Sequence, residues 1–499
     1  MIVRHGQIQQ SSGNKTWNYC NKLTEGSEMR IDILRIQNFR GYENREFILH
    51  PEFNLVVGEN GAGKTSFLEA AAVAVGSWLL GIRGHDSRAI RERDVRKLRE
   101  MVERRYRELP QYPVRVGATG TIHIAKAARD VSTGEIAYEG EPHEKPVEWS
   151  RFIDGVGGRT KADAKDLKSI AEAMAGAVYQ NQPKILPLIR YFGAGRLWES
   201  VRDSDKKALS KHKGKQPAEL AEDADELDKL WAEIQQQSEA FYGYRMSVDK
   251  RCNPDDLIRW IYIEHRNERD EDEKSLALRL VYRAIESMLP EIKSVHYSNK
   301  LGTLVLHHRD GSKPTFSELS DGYRNIVAIA ADIAIKAAML NPQLAEKALE
   351  MTPGVVLVDE LDLHLHPKWQ RRVIEDLRRT FPKIQFICTT HSPFLIQSLR
   401  TGEELIVLDG QPTADLGNMS VEEIAQGIMG VTKPQVSERY GEMKEVARNY
   451  LELLEESVKT PAEKLAEFKE RLADSIAPYA DNPAFQAFLE MKRAAKLGE

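Results

Sequence analysis

One glycine-rich segment limits the possible folds of this chain more than any other: Gly58-Glu59-Asn60-Gly61-Ala62-Gly63-Lys64-Thr65. It follows the apolar run Asn54–Val57 and precedes a segment with helical spacing, Ser66–Leu80. Closely spaced glycines let backbone N–H groups curl around a phosphate, and the N-terminus of the next helix adds its positive end. The Lys64 ammonium would reach the β- and γ-phosphates, and the Thr65 hydroxyl would bind Mg²⁺. The residues predicted to surround the nucleotide here are Gly58, Asn60, Gly61, Gly63, Lys64, Thr65 and Ser66.

Two neighbouring carboxylates follow another apolar run. Val355–Val358 is predicted to be a buried strand, and it ends in Asp359 and Glu360. A carboxylate at a strand tip can hold the Mg²⁺ shell, and a second one beside it can take a proton from the attacking water. The pair predicts a hydrolytic site with Asp359 as metal ligand and Glu360 as general base.

A hydroxyl, a glycine and a helix start come together in Phe316–Arg324, just before the long apolar helix predicted at Ile326–Met339. Ser320 and Gly322 at such a helix N-terminus form a second anion site. A single chain has no use for two phosphate sites around one nucleotide unless a second chain supplies the partner. The pattern therefore predicts that two copies share each nucleotide.

These motifs, in their order along the chain, resemble those of the ABC ATPase superfamily. The resemblance rests on the loop at 58–65, the carboxylate pair, and the signature motif Leu-Ser-Asp-Gly-Tyr at 319–323, in place of the commoner Leu-Ser-Gly-Gly-Gln. It identifies His391 with the family's γ-phosphate-sensing histidine and Asp362 with its dimer-contact aspartate. It implies an α/β fold, an ABC-type ATPase head whose mixed β-sheet surrounds the phosphate loop. It also implies ATP and Mg²⁺ as ligands and a head-to-tail dimer that encloses two ATP molecules.

Two positions need separate interpretation. The strand predicted at Leu188–Phe192 ends in Gly193-Ala194-Gly195-Arg196, where relatives usually carry a glutamine that reports on Mg²⁺. Without that glutamine, the sequence does not predict how ATP binding is linked to the domain inserted between Thr65 and Ser320. His364 and His366 have the residue types of a metal site, but alternate residues on a short segment converge poorly on one ion. We expect them to form a turn and a helix start instead.

The composition is that of a globular protein in a reducing cytosol. The 499 residues are 29% charged with a net charge of −5, which excludes a uniformly basic coat for nucleic acid but not a local basic patch. Three cysteines lie far apart and give no zinc site. No run is apolar enough to span a membrane, and no apolar signal core is present, so a cytoplasmic protein without a membrane partner is expected.

The sequence predicts five segments. They are a disordered extension (1–28), the N-terminal lobe of the ATPase head (29–130), an inserted and mainly helical domain (131–299), the C-terminal lobe of the head (300–410) and a helical C-terminal domain expected to dock a partner (411–499). The gap from Thr65 to Ser320 is much longer than in transporter ATPases. With the opening Leu34–Gly41, this layout resembles the SMC, RecF and OLD-type branch that acts on DNA. The last segment shows neither strands nor the acidic pair of an OLD nuclease, so no nuclease site is expected.

Several softer segments resemble the PtuA ATPase family of the Septu anti-phage system, also found with some retrons. They are Pro187–Trp198, Leu361–Pro367, Met419–Ile424, Met429–Val431 and Asn482–Phe485. The resemblance implies a sensor and gate for a small HNH nuclease (PtuB-like), sometimes with a reverse transcriptase and its RNA–DNA product. Two alternatives stay open: a RecF- or SMC-like ATP-driven DNA clamp in repair or chromosome maintenance, and a module that binds ATP but turns it over slowly.

The arginine-rich segment 83–107 is predicted to be helical and has two interpretations. Clustered arginines such as Arg88, Arg91 and Arg96 grip phosphates, which predicts a nucleic-acid path near the ATP site. Glutamates interleave with them, which predicts a solvated helix instead.

Overall fold

The computed structural model describes residues 29–85, 87–102, 105–122, 126–129, 136–139, 145–196, 239–271, 274–408, 419–431, 437–457 and 483–497. The extension predicted over residues 1–28 lies outside this part of the chain. The strands are β1 (Met29–Phe39), β2 (Tyr42–Ile48), β3 (Phe53–Val57), β4 (Lys97–Val102), β5 (Arg105–Pro110), β6 (Val114–Ile122), β7 (Lys126–Arg129), β8 (Ile136–Glu139), β9 (Lys145–Ile153), β10 (Lys161–Asp163), β11 (Leu188–Phe192), β12 (Ile292–Ser298), β13 (Thr303–His308), β14 (Gly354–Val358), β15 (Ile384–Thr389) and β16 (Leu405–Val407).

The α-helices are α1 (Lys64–Val75), α2 (Lys165–Tyr179), α3 (Glu239–Tyr242), α4 (Pro254–Glu271), α5 (Leu276–Met288), α6 (Asp321–Leu340), α7 (Ala348–Met351), α8 (Pro367–Gln370), α9 (Val373–Thr380), α10 (Pro393–Gln397), α11 (Val421–Gly427), α12 (Glu438–Ser457) and α13 (Pro483–Leu497). None of the helices in the described residues is both long enough and apolar enough to cross a membrane.

Two five-stranded sheets enclose helix α1. One is antiparallel with the order β10-β9-β6-β1-β2, and the other is parallel with the order β11-β14-β15-β3-β16. Helix α1 contacts strands of both sheets, and its residues from Phe67 to Val75 are buried. Most of them are alanine or valine, whose small side chains let a helix fit between two sheets. This confirms the predicted α/β class and the mixed sheets around the phosphate loop.

A buried glutamine joins the two sheets. The Gln385 side chain on β15 accepts a hydrogen bond from the Ile31 backbone N–H at 2.9 Å and donates one to the Ile31 carbonyl at 2.8 Å. It also donates to the His50 carbonyl at 2.9 Å. A buried amide that satisfies its donors and acceptor in this way fixes one arrangement of the sheets.

The helix predicted over residues 83–107 is wrong. Strands β4 and β5 pair there as an antiparallel hairpin. Its charged residues pair across the strands rather than along a helix face, with Glu108 3.0 Å from Lys97 and 3.4 Å from Arg99. Alternating charges that face each other on two strands stabilise a hairpin as well as they stabilise a helix. The hairpin predicted at Val295–His308 is confirmed by the pairing of β12 with β13.

Strands of both head sheets lie inside the segment predicted as a mainly helical insertion. Strand β9 pairs with β6 in the antiparallel sheet, and β11 pairs with β14 in the parallel sheet. Helices α2, α4 and α5 lie in the same segment.

Residues 419–499 form a separate compact unit. Its described residues include the helices α11, α12 and α13, and α12 packs on α13 through a small core of Tyr450, Leu454 and Leu489.

Candidate nucleotide-binding site

The predicted site residues follow the carboxyl ends of neighbouring parallel strands. Val358 on β14 lies opposite Cys388 on β15, and Thr389 lies opposite Val56 on β3. The phosphate loop, the carboxylate pair and His391 therefore leave the sheet at one edge. Open parallel sheets bind their ligands at this edge.

The phosphate loop depends on glycine at two positions. Gly61 has a φ of 92° and Gly63 a φ of 101°, which other residues rarely adopt. The Tyr42 hydroxyl donates to the Gly63 carbonyl at 3.1 Å, and a Cβ on Gly63 would meet the Tyr42 ring. The Lys64 ammonium donates to the carbonyls of Gly58 (2.8 Å) and Glu59 (2.9 Å) across the loop. Lys64 is 7% exposed.

The polar side chains around this lysine differ in exposure. Asn60 and Thr65 are exposed, and Ser66 is half-buried. Thr65 lies in the first turn of α1, the part of the helix nearest to a phosphate held by the loop.

One threonine contacts both acidic residues. The Thr389 hydroxyl donates to Asp359 Oδ1 at 2.6 Å and accepts from the Glu360 backbone N–H at 2.8 Å. Asp359 is 4% exposed, whereas Glu360 is half-buried and has a φ of 49°. A residue other than glycine persists at such a φ only where its surroundings hold it. Asp359 and Thr65 supply the hard oxygen donors that Mg²⁺ prefers, so the residues present fit this ion.

Asp362 holds the turn that carries His391. Its Oδ1 accepts a hydrogen bond from the Thr390 hydroxyl at 2.6 Å and from the His391 backbone N–H at 3.3 Å. The His391 side chain is exposed. Within its own chain, Asp362 thus fixes the backbone from which the histidine projects.

The signature motif packs directly against the turn that follows the carboxylates. Ser320 is the exposed N-cap of α6, and its side chain caps no N–H of the helix. A Cβ on Gly322 would lie 2.5 Å from the His364 carbonyl oxygen, so only glycine allows this approach. The Tyr323 hydroxyl donates to Glu291 at 3.1 Å, and its ring lies edge-on to Trp369 with 4.1 Å between the ring centroids. An open pocket of about 470 Å³ lies beside Ser320.

Arg196 ends the segment 193–196, which departs from the family's pattern, and it contacts the backbone of the carboxylate pair. Its guanidinium donates to the backbone carbonyls of Asp359 at 2.7 Å and Glu360 at 3.1 Å. It also donates to the Asn325 side chain on α6 at 2.6 Å. From the sequence, Arg196 was noted only as part of a segment that departs from the family's pattern. Asn325 and Thr389 were not predicted as site residues. The one available signal for Asn325 was a neutral polar residue directly before the apolar run of α6 that begins at Ile326.

His366 lies at the start of a helix, as the sequence predicted. His366 Nδ1 accepts from the Lys368 backbone N–H at 3.2 Å and caps α8, in agreement with the expected helix start. Across the part of the chain that the structure describes, no cluster of three or more His, Cys, Asp or Glu residues could hold a metal ion.

The structure also argues against the nucleic-acid path proposed for the arginine-rich segment. Arg88 is 8% exposed and pairs with Glu69 and Asp94, so it cannot line a surface path. Arg96 pairs with Glu43 at 3.0 Å, and Arg91 is exposed. The arginines therefore do not act as one basic strip.

A phosphate loop between two sheets, with an acidic strand tip and a signature helix beside it, defines an ABC-type nucleotide-binding fold. A family model described as "AAA domain" matches residues 34–293, which is 260 of the 499 residues. The chain therefore belongs to this AAA domain family. A second model, "AAA domain, putative AbiEii toxin, Type IV TA system", matches residues 202–397.

Curated relatives fall in the branch that the sequence predicted. The retron Ec83 probable ATPase of Escherichia coli is 24% identical over 78% of this chain and 73% of the relative. The retron Vc95 probable ATPase of Vibrio cholerae serotype O1 biovar El Tor is 33% identical over 31% of this chain and 30% of the relative. The Septu protein PtuA of Bacillus mycoides is 43% identical over 19% of this chain and 12% of the relative. The chain thus matches less than two thirds of the last two relatives. These similarities confirm the predicted kinship with PtuA and retron ATPases.

Among solved structures, the chain is similar to an SMC head domain from Thermotoga maritima. The match has a TM-score of 0.33 and 14% identity, and covers 75% of this chain and 93% of that one. Such a loose superposition adds nothing to the geometry above.

Proposed function

We propose that the chain is the ATP-binding and ATP-hydrolysing subunit of an anti-phage defence complex of the Septu or retron type. The observation that carries this proposal is the meeting of the phosphate loop, the carboxylate pair and His391 at one sheet edge, in a chain similar to one retron probable ATPase over 78% of its length. The names of those relatives supply the biological setting, and the geometry supplies the chemistry.

In this proposal the Lys64 ammonium and the backbone of residues 58–65 bind the β- and γ-phosphates. Thr65 and Asp359 would hold Mg²⁺, which when bound would neutralise charge on the phosphate oxygens. Glu360 accepts a proton from the attacking water, and His391 faces the γ-phosphate. Thr389 orients the Asp359 carboxylate and fixes the backbone of Glu360, because its hydroxyl contacts the side chain of the first residue and the backbone N–H of the second.

A second copy of the chain completes each site. Ser320 lies exposed at the N-terminus of α6, and its side chain caps no N–H of that helix, so this helix start can receive an anion. In a head-to-tail dimer, the signature motif of each chain faces the phosphates held by the other, with Asp362 near the subunit boundary.

The helical unit 419–499 is our candidate docking segment for a small HNH nuclease (PtuB-like). A reverse transcriptase with its RNA–DNA product, or another nucleic acid, is a further expected component. The chain would then sense infection and control the nuclease through its ATP state.

A tagged pull-down from the native locus, with mass spectrometry and nucleic-acid extraction, tests this proposal. We expect a small HNH protein in the eluate, with or without a reverse transcriptase. An eluate with chromosomal DNA and repair factors but no nuclease would contradict the defence assignment and favour the RecF-like clamp.

A further inference from the structure

Arg196 lies at the centre of the polar contacts between the carboxylate turn and the signature helix. The residue is 2% exposed and donates hydrogen bonds to four described acceptors. Three are backbone carbonyls, those of Gly193, Asp359 and Glu360, and the fourth is the Asn325 amide oxygen. Burial lowers the pKa of Arg196 to about 10, because removal from water disfavours the charged guanidinium.

Glu360 is held at an unusual backbone conformation from both sides. Its N–H donates to the Thr389 hydroxyl at 2.8 Å, and its carbonyl accepts from Arg196 at 3.1 Å. The φ of 49° stores strain that the surrounding contacts must offset. Loss of the Arg196 contact would let this residue relax and would move the carboxylate away from its position at the sheet edge.

Asn325 carries the connection into the signature helix. Its amide oxygen accepts from Arg196 at 2.6 Å, and its amide nitrogen donates to the Leu363 carbonyl at 3.2 Å. The residue is 2% exposed and lies one turn beyond Gly322, which itself touches the His364 carbonyl. The first two turns of α6 are thus fixed to the turn that follows Glu360.

We propose that Arg196 is a positioning residue that couples the two ATP sites of a dimer. It orients Glu360, which serves the ATP on its own phosphate loop. Through Asn325 it also orients the signature motif, which serves the ATP of the partner copy. This inference rests on the head-to-tail dimer of the proposed function.

Arg190 provides a matched control. It lies on β11, six residues before Arg196, is also 2% exposed, and contacts the same helix α6 through Asp332 at 2.6 Å. Its remaining contacts are carbonyls of residues 191, 246, 249 and 251, away from the carboxylate pair. Replacing either arginine by lysine removes a buried network of similar size, but only Arg196 touches the site.

The test compares Arg196→Lys, Arg190→Lys and Asn325→Leu with the parent protein. The measurements are thermal unfolding, the affinity for a fluorescent non-hydrolysable ATP analogue, and ATP turnover against ATP concentration. For Arg196→Lys we expect analogue affinity within about twofold of the parent, a fall in kcat of about ten- to a hundredfold, and a Hill coefficient of about 1. Arg190→Lys should unfold at a lower temperature and keep the parent's kcat and Hill coefficient.

A double variant gives an independent result. If the two side chains act as one unit, Arg196→Lys with Asn325→Leu will turn over ATP no more slowly than Arg196→Lys alone. Additive losses in kcat would overturn the coupling, and so would equal effects of the two arginine variants on kcat. Sedimentation of Glu360→Gln with ATP distinguishes a failure of the proposed dimer from a failure of the proposed coupling. A monomer overturns both the dimer and the coupling, whereas a dimer with parental cooperativity in Arg196→Lys overturns only the coupling.

Discussion

The phosphate loop (58–65) takes its conformation mainly from residues within it or next to it, whereas the signature motif (319–323) depends on residues far away in sequence. The loop closes on itself, because Lys64 bonds carbonyls five and six residues before it. The signature helix is held by Arg196, which is 129 residues from Asn325 in sequence. Because its contacts are mostly local, the conformation of the phosphate loop should change little when distant residues are replaced. Because its contacts are long-range, the position of the signature motif should depend on the position of other elements.

Removal of the Lys64 side chain should have the largest effect, because it removes the positive charge that the proposed function places at the β- and γ-phosphates. We expect Lys64→Ala to lose ATP turnover by about a hundredfold or more and to bind ATP too weakly to saturate. Isothermal titration and a phosphate-release assay check this. Lys168→Ala, at an exposed lysine on α2, is the control and should behave as the parent. Normal ATP binding by Lys64→Ala would contradict the assigned role of the loop.

Addition of one methyl group at Gly322 should disturb the signature motif and leave the phosphate loop unchanged. The new Cβ would lie 2.5 Å from the His364 carbonyl oxygen, so the signature helix must shift. We expect Gly322→Ala to bind ATP as the parent does but to lose turnover by about tenfold or more.

Gly176→Ala is the matched control for this change. Gly176 lies in α2 and has no neighbouring atom within 4 Å of a built Cβ. This variant should gain about 0.5–1 kcal/mol of stability from helix propensity and keep full turnover. Parental turnover in Gly322→Ala would show that the close approach to His364 is not needed.

Loss of the Tyr323 hydroxyl should have the smallest effect. Tyr323→Phe removes the hydrogen bond to Glu291 but leaves the ring against Trp369. Glu291 keeps its ion pair with Arg372 at 2.8 Å, so no carboxylate is left unpaired. We expect a loss of about 1 kcal/mol in the free energy of unfolding and turnover within about twofold of the parent. Denaturant titration measures the first quantity, and a loss of more than about 3 kcal/mol would mean that this contact does more than support the helix.

The same contrast explains what the sequence could predict. The phosphate loop, the acidic strand tip and the start of the signature helix are each contiguous in sequence. Their residues could therefore be identified from the sequence alone. The contacts of Arg196 join positions 163 and 164 residues apart, and no local pattern reports such a pairing. The helix predicted for the arginine-rich segment 83–107 was wrong for a related reason. Its charges fit a helix face and a hairpin equally well, and cross-strand partners decided between them.

The central claim is that two copies of the chain enclose ATP between the phosphate loop of one and the signature motif of the other. Sedimentation of Glu360→Gln with ATP and Mg²⁺, compared with ADP, tests it most directly. The variant should bind ATP without hydrolysing it, so we predict a stable dimer with ATP that dissociates with ADP, and that Ser320→Arg in the same background abolishes. A Glu360→Gln protein that binds ATP but stays monomeric, or whose dimer is indifferent to Ser320→Arg, would contradict the account.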